Sequence, residues 1–487
     1  MLILQSKRDF FPLFCLLGLV FSSHPCEAGE ESKPNRPNVL FLLTDDQRPD
    51  TIHALGNSLI ETPNLDRLVQ EGTTFTRAIC ANPICTPSRA EILTGASGFQ
   101  NGVLDFSRQI HSDMALWPRT MKNAGYHTWY VGKWHNDGRP TERGFERTNG
   151  LYTGGGGKWW GKSDYPHLLL DSNGREVTGY RGWIFQTDDR KMQPERGIGL
   201  MPDISRTFAE SAIELIKTKP EEPFFLQVNF TAPHDPLHMP PGFESKYDPE
   251  SIPLPKNFLP QHPFDHGNYS GRDEKLFEWP RTPQMVRNEL AVYYAVISHM
   301  DQQVGRILKA LEDTGQRENT VIIFSSDHGL AVGSHGLRGK QSMYEHTINV
   351  PLIFCGPKIP RGVKRSAQCY LRDLFPTVCE ICGIAVPETV TGKSLVPVLT
   401  GKKEKIYDHV YGYFRRSQRM IRNEEYKLIE YPEVKRTQLF HLPTDPFERK
   451  NLSGAPQYAK VQRDLRATLR AWQREMKDPV LVEGPEK

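Results

Sequence analysis

The chain has 487 residues, 38% of them hydrophobic, so it can bury a substantial core and is expected to hold one large domain plus a smaller one. Its 61 basic and 58 acidic residues give a formal net charge of +3, which excludes a global electrostatic preference for nucleic acid or a membrane surface. The eight cysteines are too few and too scattered for a disulfide scaffold. Because the net charge is close to zero, any recognition of an anion must depend on a local group of basic residues.

The N-terminal segment has the pattern of an export signal. Lys7 and Arg8 precede an apolar run from Phe10 to Phe21, and Cys26-Glu27-Ala28 is a plausible cleavage site. The run is too short to span a bilayer as a stable anchor. We expect residues 1–28 to be a cleaved signal peptide and the protein to work in the periplasm or outside the cell; an uncleaved anchor is the alternative.

The first predicted strand ends in two adjacent carboxylates. Val39 to Leu43 is an apolar run with the length of a buried parallel strand, and Asp45 and Asp46 follow it. Open α/β sheets place their active sites at this end of such strands. Two neighbouring acids repel each other unless a cation neutralises them, which indicates a divalent metal site with oxygen ligands. In isolation, a turn or a helix cap is the competing interpretation.

The stretch CTPSRAEILTG, from Cys85 to Gly95, predicts a short helix that carries reactive groups. Thr86 is predicted to cap a helix that begins at Pro87. Backbone N–H groups at a helix start attract anions and lower the pKa of a thiol. Arg89 can point its donors at the same anion, although its spacing from Cys85 differs from that of cysteine-dependent phosphatases. A buried structural cysteine is the alternative.

Two later strands also end in basic side chains. The run HTWYVGKWH places Lys133 and His135 on one face at its exit, and the strand PFFLQVNF leads to His234. For a lone pattern of this kind, a solvated lysine and a packed histidine are the default interpretation.

Residues 150–192 are predicted to form a long insertion over this edge. The segment contains GGGGKWWGK, in which Trp159 and Trp160 offer flat apolar faces and Lys158 and Lys162 offer positive charge. Such a surface suits a sugar ring that carries an anionic group. A glycine-hinged loop with packed tryptophans is the other interpretation.

The last motif of the larger domain follows the strand from Thr320 to Ser325. Asp327 and His328 come directly after it and can complete the metal site begun by Asp45 and Asp46, and Lys340 follows in GSHGLRGK. From about residue 402 the pattern changes to short alternating runs that predict a small antiparallel sheet. The stretch from 458 to 476 predicts a helix packed on that sheet.

These motifs, in this order, resemble those of the type I sulfatases, the formylglycine-dependent cysteine-type family that includes the arylsulfatases and iduronate sulfatases. The chain has the family's C-x-P-S-R signature at Cys85 to Arg89, followed by Leu93-Thr94-Gly95. The resemblance runs from Val39 to the end of the chain. It implies an alkaline-phosphatase-like α/β core, in which helices flank a mostly parallel central sheet, plus a small C-terminal α+β subdomain with an antiparallel sheet. We assign residues 29–401 to the catalytic domain and 402–487 to that subdomain.

The resemblance also implies the chemistry of the site. Cys85 would be oxidised to formylglycine by a formylglycine-generating enzyme or an anaerobic sulfatase-maturating enzyme, and its hydrated aldehyde would attack sulfur. One divalent cation, usually Ca²⁺ with Mg²⁺ as the alternative, would be held by Asp45, Asp46, residue 85, Asp327 and His328. Many sulfatases carry asparagine in place of His328, and histidine is an unusual neighbour for calcium.

The remaining site residues have roles in the same family pattern. Arg89, Lys133 and Lys340 would offset charge on the sulfuryl oxygens. His234, helped by Lys340, would protonate the leaving alcohol, and His135 would take a proton from the second hydroxyl of residue 85 so that sulfate is expelled.

Three functions are compatible with the sequence. The first is a secreted sulfatase that acts on sulfated carbohydrate. The second is a phosphodiesterase or phosphonate monoester hydrolase that uses the same nucleophile on the same fold. The third is a non-catalytic protein that binds sulfated glycans, which would require missing site residues, and none is missing.

Overall fold

The computed structural model describes residues 36–481, together with Asp9 and Pro12. The predicted signal peptide, apart from those two residues, lies outside the described part of the chain. Among the described residues, no helix combines the length and the apolar character needed to cross a membrane. The six cysteines between 36 and 481 are all free and buried.

A nine-stranded sheet forms the centre of the fold. Its strands in chain order are β1 Asn38–Thr44, β2 Thr73–Ile79, β3 His127–Lys133, β4 Arg147–Thr153, β5 Ile184–Gln186, β6 Phe224–Asn229, β7 Thr320–Ser326, β8 Asn349–Cys355 and β9 Val363–Tyr370. Their order across the sheet is β5-β4-β3-β6-β1-β7-β8-β2-β9. The strands from β4 to β7 in that order pair in parallel, as do β2 and β9, and the pairs of β5 with β4, β7 with β8 and β8 with β2 are antiparallel. The prediction of a mostly parallel sheet is confirmed.

Strand β1 shows why its sequence is a continuous apolar run. It pairs in parallel with β6 and β7, and all seven of its residues are buried. Leu40 and Leu42 belong to the core on one face of the sheet, whereas Val39, Phe41 and Leu43 belong to the core on the other face. A strand covered on both faces cannot alternate apolar with polar side chains.

Helices cover both faces of this sheet. They are α1 Pro63–Glu71, α2 Cys85–Thr94, α3 Gly98–Asn101, α4 Trp117–Asn123, α5 Ile204–Lys217, α6 Pro283–Asp313, α7 Glu345–Ile348, α8 Leu374–Ile381, α9 Val396–Leu399 and, after the second sheet, α10 Ala459–Glu475. Helices α1, α5 and α6 pack on the face of Leu40, and α2, α4 and α8 pack on the face of Phe41. The long helix α6 begins where Thr282 Oγ1 accepts a hydrogen bond from Met285 N at 3.2 Å.

The C-terminal part forms the second sheet. Strands β10 Val410–Phe414, β11 Gln418–Arg422, β12 Tyr426–Tyr431 and β13 Arg436–His441 are antiparallel and lie in chain order. Leu465, Leu469 and Trp472 of α10 share a core with this sheet, which confirms the predicted subdomain architecture. The same core includes Ile84, next to the cysteine of α2, so the second sheet supports the candidate site directly. The residue boundaries at 29 and 402 stay predictions.

Candidate active site

A cavity of about 480 Å³ opens beside the ends of β3 and β6 and the start of α2. Five of the six predicted catalytic side chains line it, namely Cys85, Lys133, His135, His234 and Lys340. The sixth, Arg89, is only 4% exposed and reaches the carboxylates of Asp327 and Asp45. The structure therefore brings together side chains that lie up to 255 positions apart in the chain, as Lys340 and Cys85 do.

Helix α2 begins earlier than predicted. It runs from Cys85 to Thr94, and Ile84 rather than Thr86 is the residue before its first turn. Thr86 Oγ1 donates a hydrogen bond to the carbonyl of His135 at 2.9 Å instead of capping the helix, so the predicted cap is wrong. This bond ties the start of α2 to the loop after β3. Cys85 consequently lies in the first turn, at the positive end of the helix dipole.

Backbone contacts align the ends of three strands. Asp45 N donates to the carbonyl of Ala232 after β6 at 3.1 Å, and Asp327 N donates to the carbonyl of Thr44 at 3.1 Å. Asp46 has a φ of 70°, so the chain turns sharply after β1. The carboxylates that follow β1 and β7 therefore converge at the carboxyl edge of the parallel sheet.

The predicted metal ligands form one buried cluster. Ligand atoms of Asp45, Asp46, Cys85 and His328 all lie within 4.8 Å of one another. Asp327 adjoins them, because its Oδ1 accepts a hydrogen bond from Asp46 N at 3.2 Å. Three carboxylates removed from water in one place are costly unless cations neutralise them, so these residues fit a divalent cation. Its identity stays a prediction.

Basic side chains surround the carboxylates. Lys133 Nζ contacts Asp45 Oδ2, and Lys340 Nζ lies 2.8 Å from Asp46 Oδ1. Arg89 Nε donates to Asp327 Oδ2 at 3.0 Å. Each of the three carboxylates thus has at least one basic partner, and Asp45 has a second, Arg89 Nη2, at 3.5 Å. The positive charge near Cys85 is therefore fixed in place by ion pairs rather than by solvent.

Cys85 is the centre of these contacts. Its Sγ lies 3.5 Å from Asp45 Oδ1, 3.3 Å from His328 Nε2 and 3.4 Å from Lys340 Nζ. Burial raises the pKa of the thiol, but Lys133, Lys340 and His328 outweigh burial and hold that pKa well below its ordinary value. The thiol is consequently the most strongly activated nucleophile precursor in the cavity lining.

The two residues that follow β7, Asp327 and His328, also have shifted pKa values. Burial, together with the charge of Asp45, raises the pKa of Asp327 to about 7. Burial lowers the pKa of His328, but the charges of Asp327 and Cys85 outweigh it and raise this pKa to about 9. Large pKa shifts in two adjacent buried residues, here both upward, are typical of a functional charged site.

The two predicted catalytic histidines have different surroundings. His135 lies two residues beyond β3, edge-on to Trp183 at 5.1 Å between ring centroids, and burial lowers its pKa to about 4. His234 Nδ1 is 2.5 Å from the carbonyl of Asp235, and its Nε2 is 3.9 Å from Asp46 Oδ2. Burial lowers the pKa of His234, but the charges of Asp46, Asp235 and Asp45 together outweigh burial, and the net shift of this pKa is upward. The two imidazoles therefore favour opposite protonation states.

The insertion contributes to the cavity through residues other than those predicted. Tyr180 and Trp183 line it, and the hydroxyl of Tyr180 donates to Asp45 Oδ2 at 2.7 Å. Trp159 packs against Tyr165 instead, with ring centroids 6.4 Å apart. The interpretation of packed tryptophans is the correct one for that segment, because Trp160 also packs within the insertion, against His167, and Lys158 lies over the ring of Trp159.

Sequence reasoning missed several residues of the cavity. Besides Tyr180 and Trp183, they include Phe106, Asn268, Arg272, Asp273, Gln341 and Arg415. All of these six lie outside the helices and strands, where no periodicity predicts which side chain faces a site. The one available signal was the charged run GRDEK within an otherwise Pro-rich segment.

A mostly parallel α/β sheet that gathers carboxylates, basic groups and an activated cysteine at one edge is typical of a hydrolase of anionic esters with an alkaline-phosphatase-like core. The family model described as Sulfatase matches residues 37–384, and the model of the C-terminal part of N-sulphoglucosamine sulphohydrolase matches residues 333–475. The chain belongs to the sulfatase family and is a sulfuric ester hydrolase.

Relatives and solved structures agree with this assignment. The chain is 26% identical to the N-acetylglucosamine-6-O-sulfatase of Bacteroides thetaiotaomicron, over 93% of this chain and 89% of the relative. It is 28% identical to the ulvan-active sulfatase of Formosa agariphila, over 90% and 81%. A solved structure in complex with its substrate D-glucosamine-2-N,6-O-disulfate has a TM-score of 0.72 at 25% identity and covers 91% of this chain and 99% of that one. The phosphonate monoester hydrolase of Agrobacterium radiobacter shares the fold, with a TM-score of 0.75 at 22% identity and coverage of 91% and 96%.

Proposed function

We propose that this chain is an exported sulfatase that removes sulfate ester groups from a sulfated carbohydrate, with a formylglycine derived from Cys85 as its nucleophile. The observation that carries the proposal is the placement of Cys85 Sγ within 3.5 Å of Asp45, His328 and Lys340. Relatives named for N-acetylglucosamine 6-O-sulfate and for ulvan support carbohydrate as the substrate class. The N-terminal signal pattern supports export.

The proposed nucleophile requires a change to residue 85. A formylglycine-generating enzyme or an anaerobic sulfatase-maturating enzyme would convert Cys85 to an aldehyde, whose hydrate supplies a nucleophilic oxygen. A divalent cation held by Asp45, Asp46, Asp327, His328 and the oxidised residue 85 would supply positive charge next to the sulfuryl oxygens. Three carboxylates favour calcium, with magnesium as the alternative.

The basic side chains of the site bind the sulfuryl group. The ammonium groups of Lys133 and Lys340 line the cavity beside residue 85 and attract the negative oxygens. Arg89, held by Asp327 and Asp45, adds charge from beneath the surface of the cavity. These charges are fixed before the reaction, so little reorganisation is needed when the ester bond breaks.

Two histidines move protons in the proposed reaction. His234 has its Nδ1 directed at the carbonyl of Asp235, which leaves Nε2 to donate a proton to the leaving alcohol oxygen. His135 interacts with the side chain of residue 85 and accepts the proton that this side chain gives up when sulfate leaves. Asp46 lies between Lys340 and His234: its Oδ1 is 2.8 Å from Lys340 Nζ, and its Oδ2 is 3.9 Å from His234 Nε2. Lys340 is thereby linked to His234 through a shared carboxylate.

Paired substrates test this proposal. We expect kcat/KM on 4-nitrophenyl sulfate and on sulfated monosaccharides to exceed that on 4-nitrophenyl phenylphosphonate by at least about 100-fold. Both esters carry one negative charge, but the phosphonate has an apolar phenyl group in place of one of the three oxygens that the basic side chains would bind. A higher rate on the phosphonate would identify a phosphonate monoester hydrolase instead. Binding of sulfated glycans without turnover, in protein that carries the modified residue 85, would identify a binding protein.

A further inference from the structure

The cavity has a polar region that the steps above do not use. Arg272 and Asp273, from the loop between β6 and α6, both line it. The side chain of Asp273 is 4% exposed, whereas that of Arg272 is 37% exposed. The pair therefore consists of a nearly buried acceptor and a donor that is accessible from the cavity.

Two carboxylates hold the guanidinium of Arg272 in one orientation. Its Nε donates to Asp273 Oδ1 at 2.8 Å, and its Nη2 contacts the same oxygen and donates to Asp235 Oδ1 at 2.9 Å. Within residues 36–481, Nη1 has no hydrogen-bond partner. Nη1 also passes directly over the backbone of Gly179, where a Cβ would lie 2.3 Å from it. The fixed side chain thus keeps one donor edge available.

Asp273 has a matching free acceptor. Its Oδ1 is occupied by Arg272, and Oδ2 has no hydrogen-bond partner in the part of the chain that the structure describes. Arg272, Lys340 and Arg338 hold the pKa of Asp273 below its ordinary value although burial raises it, so this carboxylate accepts hydrogen bonds and does not donate them. An adjacent donor and acceptor are complementary to hydroxyl groups, each of which can accept and donate.

The charge balance favours a neutral partner. The positive charge of Arg272 is offset by Asp273 and in part by Asp235, which Arg338 also contacts at 3.4 Å. A second sulfate or a carboxylate at this place would gain little attraction from Arg272 and would approach Asp273. Neutral hydroxyls carry no such penalty. The aromatic rings of Tyr180 and Trp183 line the same cavity and offer apolar surface to the C–H face of a sugar.

We propose that Arg272 and Asp273 recognise neutral hydroxyl groups of the sugar ring that carries the sulfate, with Asp273 Oδ2 as acceptor and Arg272 Nη1 as donor. The inference rests on the proposed action on sulfated carbohydrate, and it specifies that the enzyme binds the hydroxyl groups of the sulfated sugar ring. It makes the leaving-group sugar, rather than a second anionic group, the source of specificity at this position.

The variant Asp273→Asn tests the acceptor, because it keeps the shape and an oxygen for Arg272. The probes are galactose 6-sulfate, glucose 6-sulfate and N-acetylglucosamine 6-sulfate, compared with 4-nitrophenyl sulfate, which has no hydroxyls. On the sugar sulfate that the unaltered enzyme hydrolyses fastest, we expect kcat/KM to fall by at least about 10-fold, mainly through KM. On 4-nitrophenyl sulfate we expect a change of less than about 2-fold.

A second variant reaches the same group without changing any charge. Gly179→Ala would place a methyl group on Arg272 Nη1 and displace the donor, so we expect the same selective loss. The matched control is Asp171→Asn, which alters another Asp–Arg ion pair, of 2.7 Å to Arg175, that does not line the cavity. The control should leave the ratio of the two rates unchanged, and thermal denaturation should show that all variants fold.

The possible outcomes separate this inference from the proposed function. An equal loss on both classes of substrate, or an unchanged rate on the sugar sulfate, would overturn the role of the pair. A larger loss on D-glucosamine-2-N,6-O-disulfate than on the singly sulfated sugar would overturn the preference for neutral hydroxyls. Unaltered enzyme that hydrolyses 4-nitrophenyl sulfate and none of the sugar sulfates would overturn the carbohydrate proposal itself, and the role of this pair with it.

Discussion

Four histidines buried around Tyr344 make the folded state sensitive to acid. They are His262, His266, His335 and His346, each no more than 7% exposed. His335 stacks on Tyr344 with ring centroids 3.9 Å apart, and neither ring nitrogen of His266 has a partner in the described residues. The loop between His335 and His346 carries Lys340, so loss of this cluster would also disturb the site.

The direction of the effect follows from the pKa shifts. Burial lowers the pKa of His266 to about 3, from an unfolded value of 6.5. Above pH 6.5 both states are neutral and the stability is complete; as the pH falls below 6.5, only the unfolded state binds the proton, and stability is lost until the folded pKa is reached. At 1.36 kcal/mol per pH unit, the protonation of His266 in the unfolded state lowers the free energy of unfolding by about 2 kcal/mol between pH 6.5 and 5.

The variant His266→Phe isolates this contribution. It keeps an aromatic ring and removes the titrating group, so the variant should lose about 2 kcal/mol less than the unaltered protein between pH 7.5 and 5. The measurement is the free energy of unfolding from urea titrations at both pH values in excess Ca²⁺. His53→Phe, at an exposed histidine, is the control and should keep the original pH dependence. Identical losses for His266→Phe and the unaltered protein would refute the reasoning.

Three further results are expected. For a substrate with a poor alkyl leaving group, His234→Ala should lower kcat/KM by about 100-fold or more, and its effect on 4-nitrophenyl sulfate should be smaller. His135→Ala should affect both substrates alike. A His234→Ala variant that is no worse on the poor leaving group would contradict the assigned roles. Chelation by EDTA should lower both Tm and activity, because the acids at the end of β1 lose their neutralising cation. Added Ca²⁺ at 100 times its Kd should restore about 2.7 kcal/mol of the free energy of unfolding. An unchanged Tm would count against a bound cation. Gly132→Ala should lower the free energy of unfolding by roughly 2–4 kcal/mol, because the φ of Gly132 is 93° and a Cβ there would lie 2.1 Å from Asn229 O. Gly125→Ala is the control: Gly125 has a φ of 86° but faces open space, so this variant should lose much less stability.

The central strands were predictable because burial on both faces leaves a direct record in the sequence. Val39 to Leu43 and Val321 to Phe324 are unbroken apolar runs, and each is followed by polar residues that the parallel strands bring to one edge of the sheet. Lys133 and His234 follow the same logic. For these residues, local pattern and global fold give the same answer.

The loops were not predictable in the same way. Thr86 has the residue type of a helix cap, yet its hydroxyl bonds to His135, a partner 49 positions away that no local pattern includes. The insertion offered four aromatic or basic candidates at 158–162, but its aromatic residues that line the cavity are Tyr180 and Trp183. Arg272 lies in a loop whose course depends on contacts with Asp235 and Gly179. Side chains on loops are placed by tertiary contacts, and these leave no periodic signal.

The nucleophile at position 85 is the central claim, and mass spectrometry tests it most directly. The measurement is the mass of the peptide that spans residue 85, from active protein made in its native host. We predict a peptide in which the cysteine sulfur has been exchanged for an aldehyde oxygen. An unmodified thiol in the bulk of active protein would contradict the formylglycine mechanism and would return the activated Cys85 thiolate to the role of nucleophile.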